Sequence, residues 1–449
     1  MPAAGRLPDR QVPPSRVLWR SAGAVFLAVG TGRSGLLGYV MSFAQVRGLV
    51  TFTAVLIWLA VLIGRQFGVS RSVYSAAMLV TAMLLAASLC AQVSEWAWGR
   101  VRHAARQNAA RRATAAQQST TGGTKGSLAW HAMAATGAVG CAAMLVSGDL
   151  ASPKLRSTFS AAGRSGRRGH VIGPDTRFEI GSLTKIFTGL LLADMTIRNE
   201  IDLETPLGAL IGVPAADAMT LRSLATHTSG LPRRITGPRP AALLMAYHDP
   251  YRGTDLDRII AALARRRPTV AGTFHYSNVG YQLLAAALAA AAGTTWPDLL
   301  QQRICGPLGL TATSMTPDRN TARGHDEASF PLPYSDYVPL PGAIGLFSSV
   351  SDLSRFLQAQ LDPGSTPLGP AIRLSRTVQT PAGCSCRAGL GWRLKTTGGA
   401  RLAWHRGLTH GFSALLAVID ASDARRGLAI LANSPAAVTL QAIGLKALR

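Results

Sequence analysis

The chain is short of lysine, cysteine, asparagine and acid. Five of its 46 basic residues are lysine and the other 41 arginine; only 22 residues are acidic, for a net charge of +24. Five cysteines (Cys90, Cys141, Cys305, Cys384 and Cys386) are too few and too irregularly spaced for a disulfide framework. Cys384-Ser385-Cys386 is too tight for a usual metal clip. No H-x-H-x-D or H-E-x-x-H occurs and the nine histidines do not cluster at ligand spacing, so neither a metal nor another cofactor is expected. The arginines are scattered, with no helix-turn-helix or RNA-binding signature, so the excess reads as coding bias and no nucleic-acid partner is expected. Scarcity also helps: a lysine at a motif position is seldom there by chance.

At 449 residues the chain is long enough for two or three domains. Residues 1–20 are rich in arginine and proline and are expected to be disordered. Residues 22–45 are apolar but carry Arg33, and a central arginine costs about 2.5–3.5 kcal/mol on insertion. That segment is a poor lone span. Leu49–Gly64 is uncharged with Trp58, Val73–Val93 is a second uncharged run, and the polar turn Arg65–Arg71 joins them. Residues 1–99 therefore read as a membrane region with an α-helical hairpin, its spans about 48–64 and 73–93. A lipid bilayer is the implied partner and the cell membrane, multi-pass, the implied location; two buried helices of a soluble domain are the alternative. Arg100, Arg102, Arg106, Arg111 and Arg112 open a basic linker, 100–127. Arginines flank both ends of the hairpin, which puts both termini on the cytoplasmic side.

The remaining domain, 128–449, begins ambiguously. Leu128–Ser147 is 20 uncharged residues, long enough to span, yet it is rich in alanine and glycine and ends like a strand at Gly148-Asp149. Strand is the preferred reading. Beyond Leu150, short strands, Gly/Pro turns and amphipathic or Ala-rich helices alternate, an α+β pattern.

Chemistry concentrates in three stretches. Phe178–Lys185 puts Ser182 at the head of a helical pattern with Lys185 three residues on, on the same face. Ile186, Phe187, Leu190, Leu191 and Met195 follow at helical spacing. A lysine at a helix N-terminus, partly buried, is driven toward the neutral amine and can act as base for the hydroxyl. An N-cap serine with a solvated lysine is the bland alternative. In Gly272–Tyr281, Tyr276 and Asn278 stand two apart on a turn feeding a helix: a proton relay and an amide-holding group, or a capping asparagine beside a half-buried ring. In Arg401–Gly411, His405-Arg406-Gly407 lies on a strand that Phe412–Ile419 follows. A small Gly407 lets substrate lie close, and the N–H after it can point at an oxyanion. Lys395-Thr-Thr-Gly398 is read instead as a hairpin turn.

In this order, S-x-x-K, Y-x-N and H-x-G resemble the serine β-lactamase and penicillin-binding-protein superfamily, in its class C β-lactamase-like branch. Leu224–Pro232, Pro307–Leu310, Gly342–Asp352 and Gly389–Trp392 also look like this branch. The resemblance covers some 300 residues, from about Gly137 on. It implies a β-lactamase/transpeptidase-like fold: an antiparallel sheet flanked by helices plus a helical subdomain, opened by strands near Gly140–Ser147 and Arg156–Gly166. It implies Ser182 as acylated nucleophile, Lys185 as base and Tyr276 as proton shuttle. Asn278, His405, Arg406 and Gly407 then contact substrate, and the backbone N–H groups of Ser182 and Leu408 form an oxyanion hole. His410 stands where many relatives have proline and has no functional reading.

The expected activity is a membrane-anchored serine hydrolase acting on a small-molecule or peptide substrate: a D-amino-acid peptide, a β-lactam or a small ester. The alternative is a non-catalytic penicillin-binding-type sensor or binding module. Relatives in this superfamily mostly work outside the membrane. That would need a third span, at Leu128–Ser147 or at 22–45, against the charge rule.

Overall fold

Strand alternation organises the domain. In the computed structural model, Gly140–Asp149 (β1), Arg156–Gly163 (β2), Arg393–Thr397 (β5), Ala400–Leu408 (β6), Ser413–Asp420 (β7) and Ala424–Ala432 (β8) form one antiparallel sheet, ordered β2-β1-β8-β7-β6-β5. The structure describes residues 126–149, 154–234, 256–263, 272–335, 341–380, 387–421 and 424–448. The expected membrane hairpin and nearly all of the basic linker fall outside them.

The central strands are buried on both faces, which is why β7 reads as an unbroken apolar run. Its Ala414, Leu416 and Val418 join the larger core, while Leu415 and Ala417 face the other way. On that second face lie Leu128–Thr136 (α1) and Ala437–Ala447 (α6), contributing Ala129, Ala132 and Leu440.

Leu128–Ser147 ends in the strand expected from Gly140 on, but a helix precedes it. Its first half is α1, capped by Ser127 Oγ and stopped at Gly137, whose φ of 65° is left-handed; its second half is most of β1. Both halves are weakly apolar, so hydropathy alone hides the break between them. Among the described residues no single helix is long and apolar enough to cross a membrane.

The larger core holds Thr184–Ile197 (α2), Asn278–Ala292 (α3), Val350–Leu361 (α4) and Gly369–Ser375 (α5). A short ribbon of Arg177–Glu179 (β3) with Phe347–Ser349 (β4) leads into α2. The sequence predicts one apolar face for α2, but every residue from Thr184 to Met195 is buried. Its threonines are satisfied by backbone carbonyls: Thr184 Oγ1 donates to Gly181 O at 2.7 Å and Thr188 Oγ1 to the distant Gly342 O at 2.7 Å. Phe187 packs on Phe356 of α4, ring centroids 4.8 Å apart. The helix ends at Arg198, where Asn199 turns left-handed with φ 58°.

The tip between β5 and β6 is Gly398-Gly399, with φ of 57° and 80°. This is the hairpin turn expected there, and it takes Lys395-Thr-Thr-Gly398 out of the substrate-reading strand.

Candidate active site

Ser182 sits in a single 3₁₀ turn, Gly181–Leu183, immediately before α2. It is not an N-cap: α2 starts after Leu183 with no side-chain cap bond. Instead its Oγ receives two donors. The Tyr276 hydroxyl donates to it at 2.8 Å and Lys185 Nζ at 3.3 Å.

Lys185 is 0% exposed. Its Nζ also donates to Asn278 Oδ1 at 2.8 Å and to the Ala343 carbonyl at 2.7 Å, and lies 5.0 Å and 5.4 Å from the rings of Tyr276 and Tyr281. None of these partners carries a negative charge. Burial, and secondarily the Arg233 guanidinium, hold the ammonium well below the usual lysine range. The neutral acceptors steer the amine toward Ser182 without supplying a counter-ion, which is what a lysine base requires.

Tyr276 reaches Ser182 because its loop is tied down at both ends. Ser277 caps α3, accepting from Gly280 N at 2.9 Å and donating to Pro232 O at 2.8 Å. Asn278, which the sequence leaves open as a capping residue, is the first residue of α3 and turns its side chain to Lys185. His227 supplies the remaining support, and the sequence reading did not assign it a role. Its backbone is left-handed, with φ 62°; its carbonyl accepts from His275 N at 2.7 Å, and its Nδ1 accepts from Ser277 N at 3.1 Å. Its ring packs on Tyr276, centroids 4.4 Å apart. Burial foremost, with the positive charge of Lys185 next, lowers its pKa well below the ordinary histidine value, so the prop is neutral.

The third stretch closes the site through backbone. A Cβ on Gly181, itself at φ 53°, would lie 2.8 Å from Leu408 N, and a Cβ on Gly407 would lie 1.9 Å from Ile180 O. Gly407 is thus required for the strand to close on the Ser182 turn; the close approach expected of substrate is made by the protein itself. The Ser182 and Leu408 amides, the expected oxyanion donors, lie on these two adjoining segments.

His405 faces inward, its ring 6.3 Å from that of Tyr276. Its Nδ1 lies 2.9 Å from Arg406 O, which puts the proton on Nδ1. Burial first, then the charges of Lys185 and Arg393, push its pKa down to about 3. Arg406 lies at the edge of this group: its charge is felt at His405, and burial and Arg393 lower its own pKa. Alternation along β6 sends its exposed side chain to the α6 face, where Nη1 donates to Gln441 Oε1 at 3.4 Å. The nearby cations are ones the sequence reading passed over. Arg233 Cζ stacks 5.4 Å from the Tyr276 ring and Arg393 Cζ 5.5 Å from the Phe274 ring. Among the described residues neither is paired with a carboxylate. Nor do the described residues hold a group of three or more His, Cys, Asp or Glu able to bind a metal.

A serine and a buried lysine at the head of α2, with a tyrosine from the loop before α3 and an antiparallel sheet beside them, define the β-lactamase/transpeptidase class of serine hydrolase. The chain belongs to the beta-lactamase family, whose model matches residues 156–445. The D-alanyl-D-alanine-carboxypeptidase/endopeptidase AmpH of Escherichia coli (strain K12) is 30% identical over 240 residues, covering 51% of this chain and 60% of that protein. The D-aminopeptidase of Brucella anthropi is 28% identical over 276 residues, 58% of this chain and 50% of that protein. The chain thus spans between half and two thirds of the length of these relatives. Among solved structures, the D-alanine carboxypeptidase AmpC from Burkholderia cenocepacia superposes with a TM-score of 0.57 at 25% identity, covering 71% of this chain and 94% of that one. A class C beta lactamase from Rhodobacter sphaeroides, at 22% identity and a TM-score of 0.59, shares the fold over 71% of this chain and 96% of its own.

Proposed function

We propose that the protein is a membrane-anchored serine hydrolase that cleaves an amide next to a free carboxylate, as in a D-amino-acid peptide, through a Ser182 acyl-enzyme. The observation that carries this reading is a fully buried lysine, without an anionic partner among its contacts, whose Nζ lies 3.3 Å from the hydroxyl of a serine that a tyrosine also contacts.

In the first step neutral Lys185 takes the Ser182 proton as Oγ attacks the substrate carbonyl. The Ser182 and Leu408 amides stabilise the oxyanion. Tyr276, bonded to Ser182, gives its hydroxyl proton to the leaving amine as the C–N bond breaks and regains one from the Lys185 ammonium. Water then attacks the acyl-serine, losing its proton to the same pair, and Ser182 is regenerated. Asn278 fixes Lys185 and presents its amide to the acyl chain.

The carboxylate preference follows from charge. His405, neutral at working pH, offers no cation, whereas Arg393 and Arg233 flank the site with theirs unspent. The names of AmpH and the D-aminopeptidase support a D-amino-acid peptide over a β-lactam or simple ester. Anchoring rests on the apolar runs Leu49–Gly64 and Val73–Val93.

Full-length protein in detergent, given a peptide ending in D-alanyl-D-alanine as free acid or as amide, tests this. The free acid should turn over at least about tenfold faster, the worth of one charge-assisted contact. Equal rates on both, or turnover of only an uncharged ester or a cephalosporin, would overturn the substrate assignment.

A further inference from the structure

A second site lies outside the Ser182 group. The turn Ser165–His170 closes on itself, Ser165 N donating to His170 O at 2.8 Å and Gly169 N to Gly166 O at 3.0 Å, and this puts Arg167 and Arg168 at its corner. Arg323 N donates to Ser165 O at 2.6 Å and clamps a second segment against the turn. Between them is a cavity of about 600 Å³, lined by Arg167, Arg168, His170, Arg319, Arg323 and His325 among others. It shares no lining residue with the site around Ser182.

These charges are not neutralised. Arg167 stacks on Phe330, Cζ 5.4 Å from the ring centre, and Arg323 on Tyr334 at 5.1 Å, so aromatic faces rather than ion pairs hold the guanidiniums. Of the nearby acids, Asp318 pairs with Arg177 at 3.0 Å, and Asp326 Oδ1 accepts from Ala328 N and Phe330 N at 2.9 Å and 2.8 Å. No acidic residue lines the cavity among the described residues.

His325 forms the floor of the same cavity: it is 1% exposed, and neither ring nitrogen has a hydrogen-bond partner. The Asn433 backbone lies beside the ring without closing a bond of ordinary geometry to it. A buried imidazole left so is costly, and neither nitrogen opens onto the cavity. Burial holds its pKa below the ordinary value; the Asn433 backbone and Asp326 oppose this, while Arg167 and Arg323 add to it.

We propose that this cavity binds a phosphate group carried on a larger molecule. Four guanidiniums offer more donors than one carboxylate can accept, and suit the several oxygens of a phosphate. The volume exceeds what a bare anion fills. The floor also touches the catalytic edge: His325 N donates to Gly411 O at 3.3 Å, in the turn that follows Leu408 on β6.

Calorimetric titration of the full-length protein in nonionic detergent with pyrophosphate, glycerol phosphate and succinate tests this. The exposed pair Arg168→Gln/Arg319→Gln removes two cavity charges without touching a stacked ring. Arg156→Gln/Lys446→Gln removes two elsewhere. Saturable one-to-one binding of the phosphates is expected, weakened at least tenfold in the cavity pair and less than threefold in the control pair. Tighter binding of phosphatidylglycerol in mixed micelles than of glycerol phosphate assigns a lipid headgroup as the source; equal or weaker binding assigns a soluble phosphate. Equal weakening in both pairs, succinate binding as tightly as pyrophosphate, binding of a DNA duplex alone, or no saturable binding by protein that still unfolds cooperatively would each overturn the proposal.

Discussion

The Tyr276 hydroxyl donates to Ser182 Oγ at 2.8 Å, a shorter contact than the 3.3 Å from Lys185 Nζ. Tyrosine and lysine therefore share one serine. Tyr276→Phe removes the hydroxyl but keeps the ring that packs on His227 and faces Lys185. Turnover should fall about 10²–10⁴-fold, the usual worth of a positioned proton-transfer group, with thermal stability little changed. Steady-state kinetics beside a melting curve separates the two effects; unchanged turnover would remove Tyr276 from the proton path.

Arg233 lowers the Lys185 pKa through its charge, second only to burial. Acylation needs the neutral amine, so kcat/KM should rise with pH through the Lys185 value, well below 10.5. Arg233→Gln removes a positive neighbour and stabilises the ammonium. The rising limb should then move to higher pH, which a pH–rate profile of both proteins reads directly.

Arg393 stacks on Phe274 at the start of β5, and the proposed substrate would bring its carboxylate to this cation. Arg393→Gln should raise KM for a free-acid peptide about tenfold and leave an uncharged ester within about twofold. An equal loss on both substrates would mean that Arg393 acts through the fold.

His405 and His227 carry a pH signature in stability. Both have folded pKa values below the ordinary 6.5, His405 at about 3. Between those values the unfolded chain binds the proton and the folded one does not. Stability is thus intact above about pH 6.5 and, for His405, falls by about 1.4 kcal/mol per pH unit as pH drops toward 3, with His227 adding a loss of the same sign. Urea midpoints across pH 4–7 should show this slope, and His405→Gln should flatten it by one proton's worth.

Much of this site is legible in sequence because its chemistry sits in short local motifs. Ser182 and Lys185 share one turn, and Tyr276 and Asn278 straddle one helix cap. The flanking stretches read as family-like also converge here. Leu224–Pro232 holds His227, Gly342–Asp352 supplies the Ala343 carbonyl, and Gly389–Trp392 places Gly391 against the Lys185 backbone, where a Cβ would lie 2.4 Å from Lys185 O. What was not legible depends on direction or on distant convergence. Arg406 adjoins His405 in sequence but points to the opposite face. Arg393 reaches the site only through the β5–β6 hairpin and Arg233 only where its carbonyl accepts from Asn278 N at 3.2 Å, and in a chain with 41 arginines neither stands out. His227 had a signal, a histidine inside a recognised stretch, but its left-handed backbone and its bond to Ser277 N exist only in the fold.

The most direct test of the central claim is the mass of the intact protein after exposure to a fluorophosphonate or to benzylpenicillin. The account predicts a single covalent adduct that peptide mapping places on Ser182. It should be absent from Ser182→Ala and strongly slowed in Lys185→Ala. No adduct on the wild-type chain with either reagent, or an adduct that survives Ser182→Ala, would contradict it.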